Sequence, residues 1–317
     1  MGRRRNYGRS VNGIFLLNKP SGLTSNQALQ RVKRIFNANK AGHTGALDPL
    51  ATGVLPLCLG EATKFSQFLL ESEKHYQSTY TLGVTTTTGD AEGEIITQQD
   101  ASCITRRQVE KALLAFTGEI KQVPSMYSAL KHNGQPLYKL ARKGIEVERQ
   151  SRPVTIFDYQ LLDFRSGTKP QIDVQVHCSK GTYIRSLAQD LGAALNCGAH
   201  VSALHRHRSG PFDEQQAMSL SALEALSEQN TAEQLDHLLM PVDAPLMDRM
   251  EVELNEIVAG YFQLGQAVMS NKAFREGQEG DIVRVFRKGG TFLGIGTVTE
   301  EGKVAPKRLI VENAVDT

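Results

Sequence analysis

Tryptophan is absent and cysteine is scarce: Cys58, Cys103, Cys178 and Cys197 stand far apart, with no CxxC pair. That excludes a zinc ribbon and a disulfide scaffold and leaves buried thiols as the reading. No apolar run approaches the ~20 residues that span a bilayer. The first apolar stretch, Ile14 to Leu17, runs into Lys19-Pro20 and is too short for a signal-peptide core. A cytoplasmic location and no membrane partner are therefore expected. No GxxxxGK[ST] or GxGxxG element is present to cradle a nucleotide. His43, His75, His200, His205 and His207 lack the i,i+4 spacing of HExxH, and Arg206 sets a positive charge between two of them. No metal site is expected. No GxSxG context supports a Ser/His/Asp triad.

What is present fits a folded chain. Of 317 residues, 40% are hydrophobic and 22% charged, enough for one large domain or two unequal ones. The net charge of +2 hides a segregation. Residues 213–256 hold eleven acidic residues and one basic one, a local charge of −10, so the remainder carries +12. Arg3, Arg4, Arg5 and Arg9 make residues 1–10 a flexible basic arm. Lys131, Lys139, Arg142, Lys143, Arg149 and Arg152 outnumber Glu146 and Glu148 in the next basic stretch. Such patches suit a polyanionic partner; a solvated charged face is the alternative.

Gly13 to Leu17 reads as a short strand. Thr24 with Gln27 three residues on forms a capping-box signature. Ala28, Leu29, Val32, Ile35 and Phe36 then follow at helical spacing, which predicts a helix over 24–37. Residues 41–53 carry too many glycines for a regular helix or central strand. Val54 to Gly60 is apolar and buried, Glu61 to Leu70 helical, and 75–84 a strand. Thr105 and Gln108 start another helix through Phe116. Residues 124–153 read as a polar, basic excursion. Strands follow at 154–164 and 171–178, a helix at 183–195, and a strand at 199–208. Helices are expected in the acidic segment 213–240. Beyond about 250, glycines punctuate short strands at 281–287, 291–299 and 304–311, a compact β-rich module.

Asp48 stands out, in a glycine-rich loop stiffened by Pro49. A carboxylate so held can act as nucleophile or base; an Asp-Pro turn in which it caps backbone amides is the bland reading. Lys180 and Arg185 are candidate cationic partners for it, with a surface salt bridge as the alternative for Arg185. Tyr76, after Lys74-His75, reads equally as an exposed ring that stacks on a base or as a core tyrosine.

The ordered motif Gly42-His43-Thr44-Gly45-Ala46-Leu47-Asp48-Pro49-Leu50-Ala51-Thr52-Gly53 resembles the signature of the bacterial tRNA pseudouridine-55 synthases. Gly13 to Pro20, Lys74-His75-Tyr76, Gly83 to Gly93 with Asp90, Pro124 to Lys131 and Ser179 to Arg185 are similar to that family too. The likeness covers about 11–312. It implies an α/β (α+β) catalytic domain, mixed and largely antiparallel, over 11–250. A thumb-like insertion at 124–153 and a small β-rich PUA-like RNA-binding domain at 251–314 complete the implied organisation. The implied reaction detaches uracil at N1, turns it and rejoins it to the ribose through C5, in the T-loop of tRNA, with no cofactor. The resemblance assigns Asp48 as the essential aspartate, Arg185 as its partner, and Tyr76 and Leu204 as contacts of the base. It assigns His43 to the gap left in the loop and Lys19 and Pro20 to the pocket floor; Asp90, Lys180 and Tyr183 fall in its substrate-binding motifs. The implied partner is tRNA, through its T-loop and acceptor-stem arm, with the chain a monomer and no obligate protein partner. Rival readings are an RNA-binding or tRNA-folding protein without turnover, and a guide-RNA-dependent synthase subunit.

Overall fold

A computed structural model describes residues 8–128 and 130–311. Arg3, Arg4 and Arg5 of the basic arm, Ala129 and residues 312–314 lie outside the described residues. The larger sheet has ten strands among those residues. Its path runs Met218–Ser219, Gly13–Lys19, Thr52–Leu59, Ala199–Ser209, Lys74–Leu82, Gln171–Cys178, Arg152–Arg165 and Gly118–Gln122. Short strands Ala41–His43 and Phe212–Asp213 pair off that path. Most pairs are antiparallel. The Thr52–Leu59 strand meets Ala199–Ser209 in parallel, at Thr52 and Gly53. This parallel contact sets the end of the Asp48 loop against the strand that carries Leu204 and Arg206.

The first helix, Ser25–Ile35, begins at the capping box read from Thr24 and Gln27, with both reciprocal bonds present. It buries Ala28, Leu29 and Val32 against the sheet. The helix Ile184–Ala194 likewise buries Ile184, Leu187, Ala188 and Leu191. Several readings need correction. Residues 61–70 divide into a 3-10 segment Gly60–Phe65 and a short helix Ser66–Glu71. Arg152 and Pro153 already stand in the sheet, opposite Gln122 and Lys121, so the excursion closes at Ser151. It holds a minute hairpin, Lys131–His132 with Gln135–Pro136, and the helix Leu137–Ala141. The acidic segment forms one α-helix, Leu220–Gln229, with 3-10 turns around it.

Part of that segment's charge is paired within the molecule. Asp236 pairs with Arg9, Glu224 meets Arg31 at 3.4 Å, and Asp243 and Glu251 both meet Arg284. Arg9 also donates to the carbonyls of Phe36 and Ala232, so the part of the basic arm from Gly8 onward is tied down. Ion pairing to basic residues elsewhere in the chain keeps these carboxylates from acting as a free anionic face.

Residues from Glu251 onward form a separate five-stranded sheet with its own apolar cluster around Val252, Phe262, Val283 and Leu293. Helices Glu256–Gln263 and Asn271–Glu276, which the glycine-rich texture did not reveal, cover it. Phe65, Leu246 and Ile295 join the two sheets in one buried cluster. Beside it, Arg284 and Asp243 form a buried pair at 2.8 Å, each side chain 9% exposed. Asp243→Ala leaves a buried guanidinium with the longer ion pair to Glu251, at 3.3 Å, and weaker contacts to the Arg249 carbonyl and the Met247 sulfur, each at 3.4 Å. A loss of about 3 kcal/mol in unfolding free energy is expected. Equilibrium denaturation measures it, and a loss below about 1 kcal/mol contradicts the buried pair as a determinant of stability.

Candidate active site

The loop between His43 and Thr52 is held from four sides. Thr44 donates through its N–H and hydroxyl to the Pro56 carbonyl, so Pro56 serves as an acceptor in a strand where it cannot donate. The Ser25 hydroxyl donates to the Leu47 carbonyl and accepts from the Leu47 N–H, at 3.0 and 2.7 Å. The Lys19 ammonium, fully buried, donates to the carbonyls of Pro20, Leu23 and Pro49. The Arg206 guanidinium, also buried, donates to the carbonyls of Val54 and Gly45.

Gly53 makes that approach possible. Its φ is 103°, and a Cβ there would lie 2.3 Å from the Arg206 carbonyl oxygen. A side chain would force apart the two strands whose contact fixes the end of the loop.

Asp48 projects from this loop, and Arg185 grips it. The Nε and Nη2 of Arg185 reach the two oxygens of Asp48 at 2.9 and 3.0 Å, a bidentate fork. The guanidinium also donates to the carbonyls of Thr88 and Tyr127 and stands 3.5 Å from Asp90. The Arg185 side chain is 6% exposed and that of Asp48 33%, so the carboxylate is the accessible member of the pair. Arg185 starts a helix that Gln122 secures, by accepting from the Tyr183 N–H and donating to its carbonyl. Thr88 and the Glu92 N–H both donate to Asp90, which orients it toward Arg185.

The electrostatics pull in opposite directions. Burial pushes the Asp48 carboxyl above its ordinary value; Arg185 draws it down, Asp90 adds to the rise, and Lys19 lowers it. Burial lowers the Lys19 ammonium to about 8, against the attraction of Asp48 and Glu92. Glu92 is itself pushed up, by burial and then by Asp90 and Asp48. The two cations thus favour the ionised carboxylate and oppose the burial that favours the neutral acid, and the net shift is upward.

Tyr76 is not the exposed ring that stacking on an open surface implies: it is 8% exposed. Burial lifts its hydroxyl above the ordinary phenol value, and the neighbouring Arg206 guanidinium opposes the rise. Arg206 and Tyr76 are register partners, so with Leu204 two residues earlier they occupy one sheet face. Leu204 is 7% exposed. Half-buried His43 has a buried Nδ1 without a partner, and its imidazole is held below its ordinary pKa by burial and then by Arg206. Tyr183 is half-buried at the start of the Arg185 helix. Lys180 is not a partner of Asp48: it is exposed and pairs with Glu71. Pro20 is exposed at the edge, offering its carbonyl to Lys19.

Arg206 was missed in the sequence. It looked like a charge between two histidines, whereas strand alternation turns it inward and its neighbours outward. The backbone carbonyls of Thr88 and Tyr127 carry no side-chain signature at all.

Comparison with known proteins supplies independent findings. Residues 33–184 match the family model described as TruB family pseudouridylate synthase (N terminal domain). Residues 185–247 match the tRNA pseudouridylate synthase B C-terminal domain, and 251–310 match pseudouridine synthase II TruB, C-terminal. The chain is 55% identical to tRNA pseudouridine synthase B of Saccharophagus degradans over 313 residues, covering 99% of this chain and 100% of that one. It is 52% identical to the protein of the same name from Coxiella burnetii over 304 residues, 96% of each chain. A solved H/ACA ribonucleoprotein bound to a substrate RNA containing 2'-deoxyuridine is similar in fold, with a TM-score of 0.71 at 22% identity, over 98% of this chain and 92% of that one.

Gly53→Ala tests the close approach. Gly144 has a similarly left-handed φ of 71° but open space where a Cβ would go. Gly144→Ala should cost about 1 kcal/mol of stability from backbone strain, and Gly53→Ala about 3 kcal/mol because the clash adds to it. Equal losses in chemical denaturation contradict the close approach as the reason for Gly53.

Proposed function

This chain belongs to the TruB family of pseudouridine synthases and isomerises uridine 55 of tRNA to pseudouridine, and we propose that Asp48 is its catalytic residue, held by Arg185. It binds tRNA. Among its described residues no helix is long and apolar enough to cross a membrane. We assign 11–250 to catalysis, with the basic excursion from residue 124 as a thumb on the RNA, and 251–314 to a PUA-like RNA-binding domain. In our reading the chain works as a cytoplasmic monomer on the T-loop and acceptor arm.

The observation that carries the assignment is the fork between Arg185 and Asp48. Two routes lead from uridine to its isomer: attack on C1′ of the ribose, and removal of the C2′ proton. Both begin with an ionised carboxylate aimed at the sugar. The guanidinium holds both carboxylate oxygens, so it fixes direction as well as charge.

The target base must leave the loop before its sugar can be reached, at a cost of a few kcal/mol. Tyr76 and Leu204 offer the wall on which it packs, and stacking on an aromatic ring returns roughly 1–3 kcal/mol. His43, kept neutral by burial, fits the gap left in the loop without adding a charge. Lys19 and Pro20 fix the floor under Asp48, and Asp90 and Tyr183 position Arg185. Lys180, on the surface, has a role limited to phosphate contact.

The direct test is unmodified tRNA incubated with purified protein, without guide RNA or cofactor, followed by mapping of pseudouridine. Asp48→Asn should abolish product while tRNA affinity stays within about threefold, because the amide keeps the shape but loses the charge and one acceptor of the fork. Product formed by Asp48→Asn at a rate near wild type contradicts the assignment.

Arg185→Lys separates orientation from charge. It should bind tRNA nearly normally and slow single turnover by at least about a hundredfold, the scale lost when a reacting group is misplaced by about 1 Å. A wild-type single-turnover rate for Arg185→Lys shows that the fork does not support catalysis.

A further inference from the structure

A second constellation lies beyond the Asp48 loop and takes no part in the reaction above. His205 and His207 stand on the Ala199–Ser209 strand, and Glu214 follows the short return strand Phe212–Asp213. The strand register shifts between Arg206 and Arg208, which leaves His207 out of the ladder. Both imidazoles face the same carboxylate. His205 Nε2 stands 2.8 Å from one Glu214 oxygen, and His207 Nδ1 stands 3.0 Å from the other. One ligand atom from each residue lies within 4.8 Å of the other two.

The remaining ring nitrogens have partners of their own. His205 Nδ1 bonds the Thr52 hydroxyl at 2.7 Å, and His207 Nε2 bonds the Gln77 side-chain oxygen at 3.2 Å. Each ring is thereby held with its other nitrogen on a Glu214 oxygen. Such outer partners characterise metal-bound imidazoles, where the second nitrogen is engaged by a polar group. Arg206, between them in sequence, faces the opposite side of the sheet and donates to the carbonyls of Val54 and Gly45.

We propose that His205, His207 and Glu214 form a binding site for a single divalent transition-metal ion of the zinc type, with its fourth position open to solvent. Two imidazoles and one carboxylate suit zinc far better than magnesium, which demands oxygen ligands. Zinc bonds of about 2.0–2.1 Å place ligand atoms roughly 3.3 Å apart, so rotation of surface side chains closes the set. The open position faces solvent, since the side chains are 29%, 34% and 43% exposed. The ion would clamp the return strand to the long strand and, through Thr52, to the end of the catalytic loop. Its role is structural, and the isomerisation has no step that uses it. The helical i,i+4 pattern could not reveal it: the ligands are two residues apart on a strand and then across a turn.

Titration calorimetry of zinc chloride into the chelator-stripped full chain tests the site. Wild type should show one zinc bound per chain. His207→Asn and Glu214→Gln should each weaken that binding at least tenfold. Gln77→Leu removes only the outer partner of His207 and should weaken it about 10–100-fold. His75→Asn removes a histidine outside the set and should leave it intact. Zinc should also raise the unfolding temperature of wild type, with no rise for Glu214→Gln and none with magnesium. Zinc affinity in wild type no higher than in Glu214→Gln overturns the proposal, and so does a site that survives in the double variant His207→Asn, Glu214→Gln.

Discussion

In the proposed reaction a carboxylate has to be ionised and must not be free to swing, and the fork between Asp48 and Arg185 serves both conditions. Taking two charges out of water costs several kcal/mol per ion unless geometry and further hydrogen bonds repay it. The guanidinium meets that demand with carbonyls from two separate segments, Thr88 and Tyr127, in addition to Asp48. The helix that begins at Ile184 and the loops that meet it are therefore constrained together. Displacing any one of them strands a buried charge.

The opposite side of the site obeys the same constraint. Lys19 and Arg206 are buried cations whose hydrogen bonds run to backbone carbonyls: Pro49, Gly45 and Val54 in the Asp48 loop or the strand it enters, and Pro20 and Leu23 in the turn beside it. The loop is thus an acceptor surface wrapped around two fixed donors, and Gly53 lets one of them come close. Elsewhere, acidic residues of the 213–256 segment neutralise arginines that would otherwise be loose, such as Arg9 and Arg284.

Local signals were legible in the sequence wherever a local rule decided the outcome. The capping boxes at Thr24 and Thr105, the alternation over 171–178 and the apolar stripe of the 184–194 helix all led to the right element. The glycine-rich motif located Asp48, and Arg185 was readable as its partner through family resemblance. What stayed hidden depends on register. Arg206 turns inward only because its strand is buried on that face. Lys180 and Arg185 lie five residues apart, and which of them meets Asp48 is decided by a helix start that puts Lys180 beside Glu71. The two helices of the C-terminal module escaped because glycines dominated its texture.

The central proposal is that neighbouring cations favour ionised Asp48 against burial. Lys19→Met removes the ammonium charge together with its bonds to the Pro20, Leu23 and Pro49 carbonyls, while Arg185 still grips the carboxylate, so the pH profile, not the rate alone, reports on charge. Burial raises the Asp48 pKa and Lys19 lowers it, so removing Lys19 must move it further up. The deciding measurement is the pH dependence of single-turnover pseudouridine formation, wild type beside Lys19→Met. The account predicts that the acid limb, where rate falls as Asp48 takes up a proton, shifts to higher pH in Lys19→Met. An acid limb that stays in place, or moves to lower pH, contradicts it.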